Sequence, residues 1–330
     1  MGVAVSYADV QAARARIAET IQPTPVVQSA ALSERFGVPV HLKLEHLQRT
    51  GSFKLRGATN AVLCLTEEER ARGVVGVSTG NHGRGLAYAA RENGVRCIVA
   101  MSNLVPQNKV DGIRALGAEV RIIGRSQDDA QIEVDRLVTE EGMTLIPPFD
   151  HPGIIAGQGT LGIEIAEAVP EAEVALVQLS GGGLISGVAL ALKHLNPGIK
   201  VIGVSMERGA AMYRCQKAGK PIFVEEEVTL ADSLGGGIGL DNVHTFSMVR
   251  DLVDEIVLVS EAEIARAIRH AYWSESLIVE GSGSVTMAAL LAGKVAAEGP
   301  VVGLVSGCNI DMALHHRIIS GEDVDVTKEE

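Results

Sequence analysis

Short apolar segments alternate along the chain with longer stretches in which apolar residues recur at helical spacing. The apolar segments span 74–79, 96–101, 119–124, 174–180, 200–206 and 301–307. A helical pattern follows each of the first five, for example over 127–141. Strands that are apolar throughout are typical of parallel sheets covered by helices on both faces. The pattern therefore predicts an α/β fold built from such sheets.

Two interruptions in this alternation predict how the chain divides into domains. The segment 65–73 (LTEEERARG) is highly charged, and the segment 147–153 (PPFDHPG) is rich in turn-forming residues. We expect residues 67–148 to form a small inserted domain. Residues 1–66 and 149–330 would together form a larger domain.

Composition narrows the classes of partner and compartment. The 330 residues are 46% hydrophobic and carry a formal net charge of −12, with acidic and basic residues interspersed. This balance argues against nucleic acid and membrane surfaces as partners. No apolar run approaches the roughly 18 residues of a membrane-spanning helix, and no signal peptide is visible at the N-terminus. We therefore expect a globular protein of the cytoplasm.

The cysteines support the same compartment. They are far apart in the sequence and fit no zinc-binding spacing: Cys64, Cys97, Cys215 and Cys308. Such thiols are typical of a reducing environment. We expect them to be reduced.

A single lysine lies in the segment 50–60 (TGSFKLRGATN). Ser52 suits the N-cap of a helix, and Leu55, Ala58 and Ala61 then recur at helical spacing. Lys54 would therefore lie in the first turn of a helix, where the helix dipole disfavours a cation. This placement suggests that the amine is held neutral or consumed in a covalent bond.

Three consecutive glycines follow the apolar segment 174–180, within the segment 180–187 (SGGGLISG). Glycines that open a helix expose backbone N–H groups to an anion, and the helix dipole adds to the attraction. A phosphate group is the favoured ligand. Gly181, Gly183 and Ser186, with Glu207 near the end of the next strand, also nearly match a dinucleotide fingerprint, so this loop alone leaves the class of phosphate ligand open.

Two further loops follow apolar segments, at the strand ends where ligands bind in such sheets. In 78–85 (STGNHGRG), Gly80 permits close backbone approach, and a carboxylate or a ring hydroxyl would suit the neighbouring polar groups of Ser78, Thr79 and Asn81. A plain turn explains the same residues equally well. We expect His82 to be a structural hydrogen-bonding residue. In the loop 306–311 (SGCNID), the residues alone favour a plain helix cap or turn residue at Ser306 over a ligand-binding one.

Four segments together resemble one enzyme family: GSFKLRGA, STGNHGRGLAYAA, SGGGLISG and SGCNID, in this order and spacing. They are similar to the threonine/serine dehydratase family of fold-type II pyridoxal-phosphate enzymes, which includes serine racemase. The resemblance implies a tryptophan synthase β-like fold with two αβα domains, the larger of which binds the cofactor, pyridoxal 5′-phosphate. The dinucleotide interpretation is then disfavoured.

The resemblance also implies a role for each matching residue. Lys54 would form the Schiff base with the cofactor and later act as general base. Ser306 would face the pyridine nitrogen, and Asn81 would hydrogen-bond the ring hydroxyl. The other residues implied at the cofactor are Phe53, Gly181, Gly182, Gly183, Leu184 and Glu280. The residues implied at the substrate carboxylate are Ser78, Thr79, Gly80, Asn81 and His82.

These roles imply a β-elimination. A serine hydroxyl cannot keep the pyridine nitrogen protonated as an aspartate would, which favours prompt loss of a β-hydroxyl over transamination. The product would be a 2-keto acid with ammonia.

Ser205 and Ala211 stand where relatives hold a divalent cation with carboxylates, so we expect no metal.

Other departures from the family pattern bear on the substrate. Ser233 replaces a common glycine, and this, with GNHGRG and SGCNIDMALHH, looks most like the branch associated with hydroxyectoine utilisation. The substrate would then be a hydroxylated diamino acid instead of threonine or serine. Thr79 stands where racemases have a serine, so an amino-acid racemase stays an alternative, as does a non-catalytic pyridoxal-phosphate-binding protein. The expected partners are a small amino-acid substrate and further copies of the chain, as a homodimer or higher homo-oligomer.

Overall fold

The computed structural model describes residues 5–78, 80–103, 105, 107–125 and 127–328. The helices are α1 (Tyr7–Ile17), α2 (Ala30–Phe36), α3 (Lys54–Leu63), α4 (Glu67–Arg72), α5 (Asn81–Glu92), α6 (Gln107–Ala115), α7 (Gln127–Glu141), α8 (Pro152–Ala168), α9 (Gly183–Leu195), α10 (Ala211–Ala218), α11 (Thr245–Leu252), α12 (Glu261–Glu275), α13 (Gly281–Leu291) and α14 (Met312–Ile319). The strands are β1 (Val26–Gln28), β2 (Val40–Leu44), β3 (Val74–Val77), β4 (Cys97–Met101), β5 (Glu119–Ile122), β6 (Thr144–Leu145), β7 (Val174–Gln178), β8 (Lys200–Met206), β9 (Glu255–Val259) and β10 (Val301–Val305). Short 3-10 helices lie at Glu45–Leu47 and Asp232–Leu234.

The larger sheet has six strands in the order β1-β2-β10-β7-β8-β9. Five of these strands run parallel to one another: β2, β10, β7, β8 and β9. Strand β1 pairs antiparallel with β2. The prediction of apolar parallel strands is thus confirmed for β7, β8 and β10, and it missed β1, β2 and β9. Charged or polar residues within β2 (VHLKL) hid that strand, although it is a central one.

Helices cover both faces of this sheet, as the apolar strands predicted. Alternate residues of one strand enter two different cores: Leu176 of β7 packs with α12 and α13, whereas Val177 packs with α8 and α9. Side chains alternate between the two faces of a strand, so a strand buried on both faces is apolar throughout. The predicted α/β fold class is confirmed.

The smaller sheet has four parallel strands in the order β5-β4-β3-β6. All four come from residues 74–145, whereas the strands of the larger sheet come from both sides of this segment. This distribution favours an inserted small domain. The bounds 67–148 stay a prediction.

Helix α3 carries Lys54 in its first turn, as predicted. It packs against α5 on one side and α8 on the other. The expected cap at Ser52 is wrong, because Phe53 occupies the N-cap position and no side chain caps the helix. Ser52 instead forms an isolated backbone bridge with Gly307, which joins the start of α3 to the end of β10.

None of the helices described here is long and apolar enough to cross a membrane.

Candidate active site

A cleft opens at the carboxyl ends of β7 and β10, where the loops after the strands meet the start of α3. Its empty volume is about 480 Å³, part of it open to solvent. All nine residues predicted at the cofactor line it: Phe53, Lys54, Asn81, Gly181, Gly182, Gly183, Leu184, Glu280 and Ser306. Ser233, which the sequence indicated as bearing on the substrate, also lines it. Five further lining residues had no assigned role in the sequence analysis: Phe149, Gln178, Ser180, Leu234 and Ser282.

Lys54 points into this cleft from the first turn of α3. Its Nζ donates a hydrogen bond to the carbonyl oxygen of Pro148 at 2.7 Å and lies 5.4 Å from the centroid of the Phe53 ring. Burial lowers the pKa of the Lys54 amine to about 8. A much larger fraction of the amine is therefore neutral and nucleophilic near neutral pH than for an exposed lysine.

The pH dependence of covalent cofactor attachment tests this pKa. Only the neutral amine attacks an aldehyde, so the attachment rate should rise about tenfold per pH unit below pH 8 and level off above it. The measurement mixes cofactor-free protein with pyridoxal 5′-phosphate and follows the visible band from about pH 6 to about pH 10. A rate that keeps rising to pH 10 would show an ordinary lysine.

The turn before α9 forms a cradle for an anion. Gly182 has a φ of +90°, and a Cβ on Gly181 or Gly183 would lie 2.3 Å from the Phe149 ring or 2.7 Å from its carbonyl oxygen. Only glycine fits these positions. Because helix α9 begins at Gly183, its first N–H groups lack intrahelical acceptors and are available to a phosphate.

The floor of the cleft presents polar atoms that lack partners. Gln178 donates through Nε2 to the carbonyl oxygens of Leu304 at 2.7 Å and Gly283 at 3.2 Å. Its Oε1 is buried and, among the described residues, has no hydrogen-bond partner; the same holds for Oγ of Ser282. Ser306 is also buried there, and its carbonyl oxygen accepts from Phe53 N at 3.0 Å. Buried polar groups without partners destabilise a protein unless a polar ligand forms hydrogen bonds with them.

Gln178 could have been noticed in the sequence, since it interrupts an otherwise apolar strand. The partners of its amide nitrogen lie 105 and 126 residues away in the chain. Its orientation was therefore beyond sequence reasoning. Together, the glycine cradle, the amine and the polar floor fit pyridoxal 5′-phosphate, which combines a phosphate, an aldehyde and a polar ring.

Asn81 and Glu280 meet on one wall of the cleft. The Nδ2 of Asn81 donates to Oε1 of Glu280 at 2.7 Å, and its Oδ1 accepts from Nδ2 of Asn309 at 2.6 Å. Burial, and secondly the charge of Asp232, raises the pKa of Glu280 to about 8. The carboxyl group is therefore mostly protonated and neutral at pH 7.

Two other described residues of the loop after β3, Ser78 and His82, form hydrogen bonds within the protein. Ser78 Oγ accepts the backbone N–H groups of Gly83 at 2.9 Å and Gly80 at 3.3 Å, at the start of α5. His82 lies within hydrogen-bond distance of the Ile146 carbonyl oxygen, 2.8 Å from Nε2. Burial, and secondly the charge of Lys54, lowers the pKa of His82 to about 3, which keeps the ring neutral.

Of the described residues in this loop, Asn81 alone lines the cleft. Thr79, which bears on the racemase alternative, lies outside the described residues. The carboxylate-binding role of the loop stays a prediction.

A buried cluster of ion pairs connects α3 to the neighbouring elements of the fold. Arg56 pairs with Glu45 (Nε to Oε1, 2.7 Å) and with Glu164 (Nη1 to Oε1, 2.6 Å), and Lys43 also pairs with Glu164. These residues connect α3, the first 3-10 helix, α8 and β2. No pattern in the sequence indicates this cluster, because its members are far apart in the chain.

In the part of the chain that the structure describes, no three or more His, Cys, Asp or Glu residues are grouped as they would be around a metal ion. Whether the protein uses a metal stays a prediction from Ser205 and Ala211.

Comparison with known proteins agrees with this geometry. The model of the family described as "Pyridoxal-phosphate dependent enzyme" matches residues 17–307. The chain is 59% identical over 318 residues to a protein of Sinorhizobium fredii provisionally named a threonine dehydratase, and the match covers 96% of each chain. It is 41% identical to L-threonine ammonia-lyase of Thermotoga maritima, over 96% of this chain and 78% of the relative. The structure of maize serine racemase matches with a TM-score of 0.90 at 32% identity, over 96% of this chain and 97% of the racemase.

The chain therefore belongs to the family of pyridoxal-phosphate-dependent enzymes. Within that family it is a fold-type II lyase of the threonine/serine dehydratase group, so the predicted cofactor and the resemblance are confirmed. The alternative of a non-catalytic cofactor-binding protein is not retained. The hydroxyectoine branch stays a prediction.

Proposed function

We propose that this protein catalyses β-elimination from a β-hydroxy amino acid, as a dehydratase/ammonia-lyase that releases a 2-keto acid and ammonia. The observation that carries the proposal is the single cleft in which Lys54, the glycine turn and Ser306 meet. The 41% identity to an L-threonine ammonia-lyase supports the same reaction type. The substrate class is a threonine- or serine-like amino acid, or a hydroxyectoine-derived diamino acid.

Different residues of the cleft would perform different steps of this reaction. When bound, pyridoxal 5′-phosphate withdraws electrons from the α-carbon of the attached amino acid and makes its α-proton acidic. Lys54 Nζ accepts that proton as general base, and its lowered pKa lets it act near neutral pH. Ser306 would offer a neutral hydroxyl to the pyridine nitrogen, which would limit electron withdrawal and favour loss of the β-hydroxyl. The N–H groups from Gly181 to Leu184 would hold the phosphate in place.

A substrate panel tests the proposal. We expect equimolar 2-keto acid and ammonia from at least one of L-threonine, L-serine and a β-hydroxylated diaminobutyrate, measured by coupled assays of both products. L-Alanine is the control, because it has no β-leaving group and should release neither product. Keto-acid release from none of the hydroxylated substrates would contradict the proposal.

The racemase alternative is kept because the fold matches maize serine racemase so closely. Chiral chromatography of the same reactions separates the two activities. Formation of the D-amino acid without keto acid would favour the racemase, whereas keto acid in excess over the D-isomer would favour the lyase.

A further inference from the structure

The side-chain amide of Asn81 has its orientation imposed by a chain of hydrogen bonds. Asn309 Nδ2 donates to the carbonyl oxygen of Thr50 at 2.9 Å, and a carbonyl oxygen can only accept. The nitrogen of Asn309 is thereby identified, and it also donates to Oδ1 of Asn81 at 2.6 Å. The nitrogen of Asn81 must then lie on the opposite side, towards Glu280.

Glu280 completes this chain as the acceptor. Its Oε1 accepts from Asn81 Nδ2 at 2.7 Å, and both side chains are buried, with exposed fractions of 3% for Glu280 and 6% for Asn81. The second hydrogen of Nδ2 has only one described partner, Ser233 Oγ, at a long 3.4 Å. That hydrogen is therefore available to a ligand in the cleft.

The backbone holds Glu280 in place for this contact. Its N–H donates to the carbonyl oxygen of Gly307 at 3.1 Å, and a Cβ on Gly307 would lie 2.2 Å from Glu280 Oε1. The glycine next to Ser306 thus makes room for the carboxyl group. Oε2 is buried without a described partner, so the contact with Asn81 is the one hydrogen bond between the Glu280 carboxyl group and another side chain of the described cleft.

We infer that Glu280 is a positioning residue, which fixes the Asn81 amide so that its free N–H is presented to the ring hydroxyl of the cofactor. The inference rests on the proposed placement of that hydroxyl beside Asn81. It assigns Glu280 no contact with the reacting atoms. The part of Glu280 that matters is an oxygen acceptor at the Oε1 position, which a glutamine also supplies.

A double-mutant cycle tests this coupling through cofactor binding, with no need for a substrate. Glu280→Ala should weaken binding of pyridoxal 5′-phosphate about tenfold, as expected for a lost buried hydrogen bond, and shift its visible band. Glu280→Gln, which keeps an oxygen acceptor, should bind the cofactor with an affinity within about threefold of wild type. In an Asn81→Ala background, Glu280→Ala should change affinity less than about twofold, because the residue it acts through is gone.

The outcomes separate the inference from the proposed cofactor placement. If Asn81→Ala leaves the affinity and spectrum unchanged, the ring hydroxyl does not lie beside Asn81. Both the proposed cofactor placement and the positioning role of Glu280 are then overturned. If Asn81→Ala alters them but Glu280→Ala acts equally in both backgrounds, or Glu280→Gln is as weak as Glu280→Ala, the positioning role alone is overturned.

Asn309, on the other side of Asn81, provides a second test in case Glu280→Ala does not fold. Asn309→Ala removes the donor to Asn81 Oδ1 and should likewise weaken cofactor binding severalfold and shift the band. Melting of the cofactor-free proteins identifies variants that do not fold. If Glu280→Ala is among them, unchanged cofactor binding by Asn309→Ala overturns the inference.

Discussion

Lys54→Ala should lower keto-acid release by at least about 10³-fold and abolish the visible band of covalently bound cofactor. The substitution removes both the amine proposed to bond the cofactor and the proposed general base, and a positioned base alone contributes about 10²–10⁴-fold. Absorbance spectra and turnover of purified protein, reconstituted with pyridoxal 5′-phosphate, provide the measurement. The glycine turn before α9 should still hold the phosphate, so weak non-covalent binding is expected.

Lys193→Ala is the matched control for this experiment. Lys193 lies in the last turn of α9 and pairs with Asp254 at 2.7 Å, away from the cleft. We expect its spectrum and turnover to stay within about twofold of wild type, since surface pairs contribute little. A Lys54→Ala protein that keeps the unchanged band would show that another lysine bonds the cofactor.

Arg56→Met should lower the free energy of unfolding by about 3–5 kcal/mol, because it leaves the buried Glu45 without its cation and leaves Glu164 with Lys43 alone. Arg14→Ala is the matched comparison: it breaks an arginine–glutamate pair of similar length, Arg14 with Glu167, whose side chains are 44% and 56% exposed. That change should cost less than about 1 kcal/mol. Urea unfolding of cofactor-free protein measures both.

The pH dependence of this loss gives a second check. Burial alone would raise the pKa of Glu164, but the charge and hydrogen bonds of Arg56, together with those of Lys43, hold it below its ordinary value. The pairing therefore stabilises the fold above the unfolded glutamate pKa, and this contribution is lost as the pH falls through the lower folded pKa. The difference between wild type and Arg56→Met should therefore shrink as the pH falls below about 4, the ordinary glutamate value. Equal losses for Arg56→Met and Arg14→Ala would show that the buried cluster carries no special weight.

Much of the site could be predicted from short segments because local physics determines them. Three adjacent glycines before a helical pattern specify a tight turn with open N–H groups wherever they occur. Lys54 in the first turn of α3 and the apolar strand β7 before the glycines depend on residues only a few positions away. The resemblance then supplied the cofactor, and all nine residues predicted around it line one cleft.

Strand β2 shows where the sequence was insufficient. Lys43 argues against a buried strand, since an isolated buried ammonium is very costly. The partner that compensates its charge, Glu164, lies 121 residues further along the chain. Only the packing of α8 against β2 and α3 brings the two together, so no local pattern could have revealed the strand or the ion cluster.

The same reason separates what the sequence determined about the cleft from what only the tertiary structure decided. The residue types that bind a phosphate and an aldehyde follow from local motifs. The orientation of the Asn81 amide depends on Asn309 and Glu280, which lie 228 and 199 residues away. The lowered pKa of Lys54 and the raised pKa of Glu280 likewise come from burial, which is a property of the folded chain. Hydrogen-bond polarity and desolvation depend on which atoms surround a group, and those neighbours are set only when distant segments pack together.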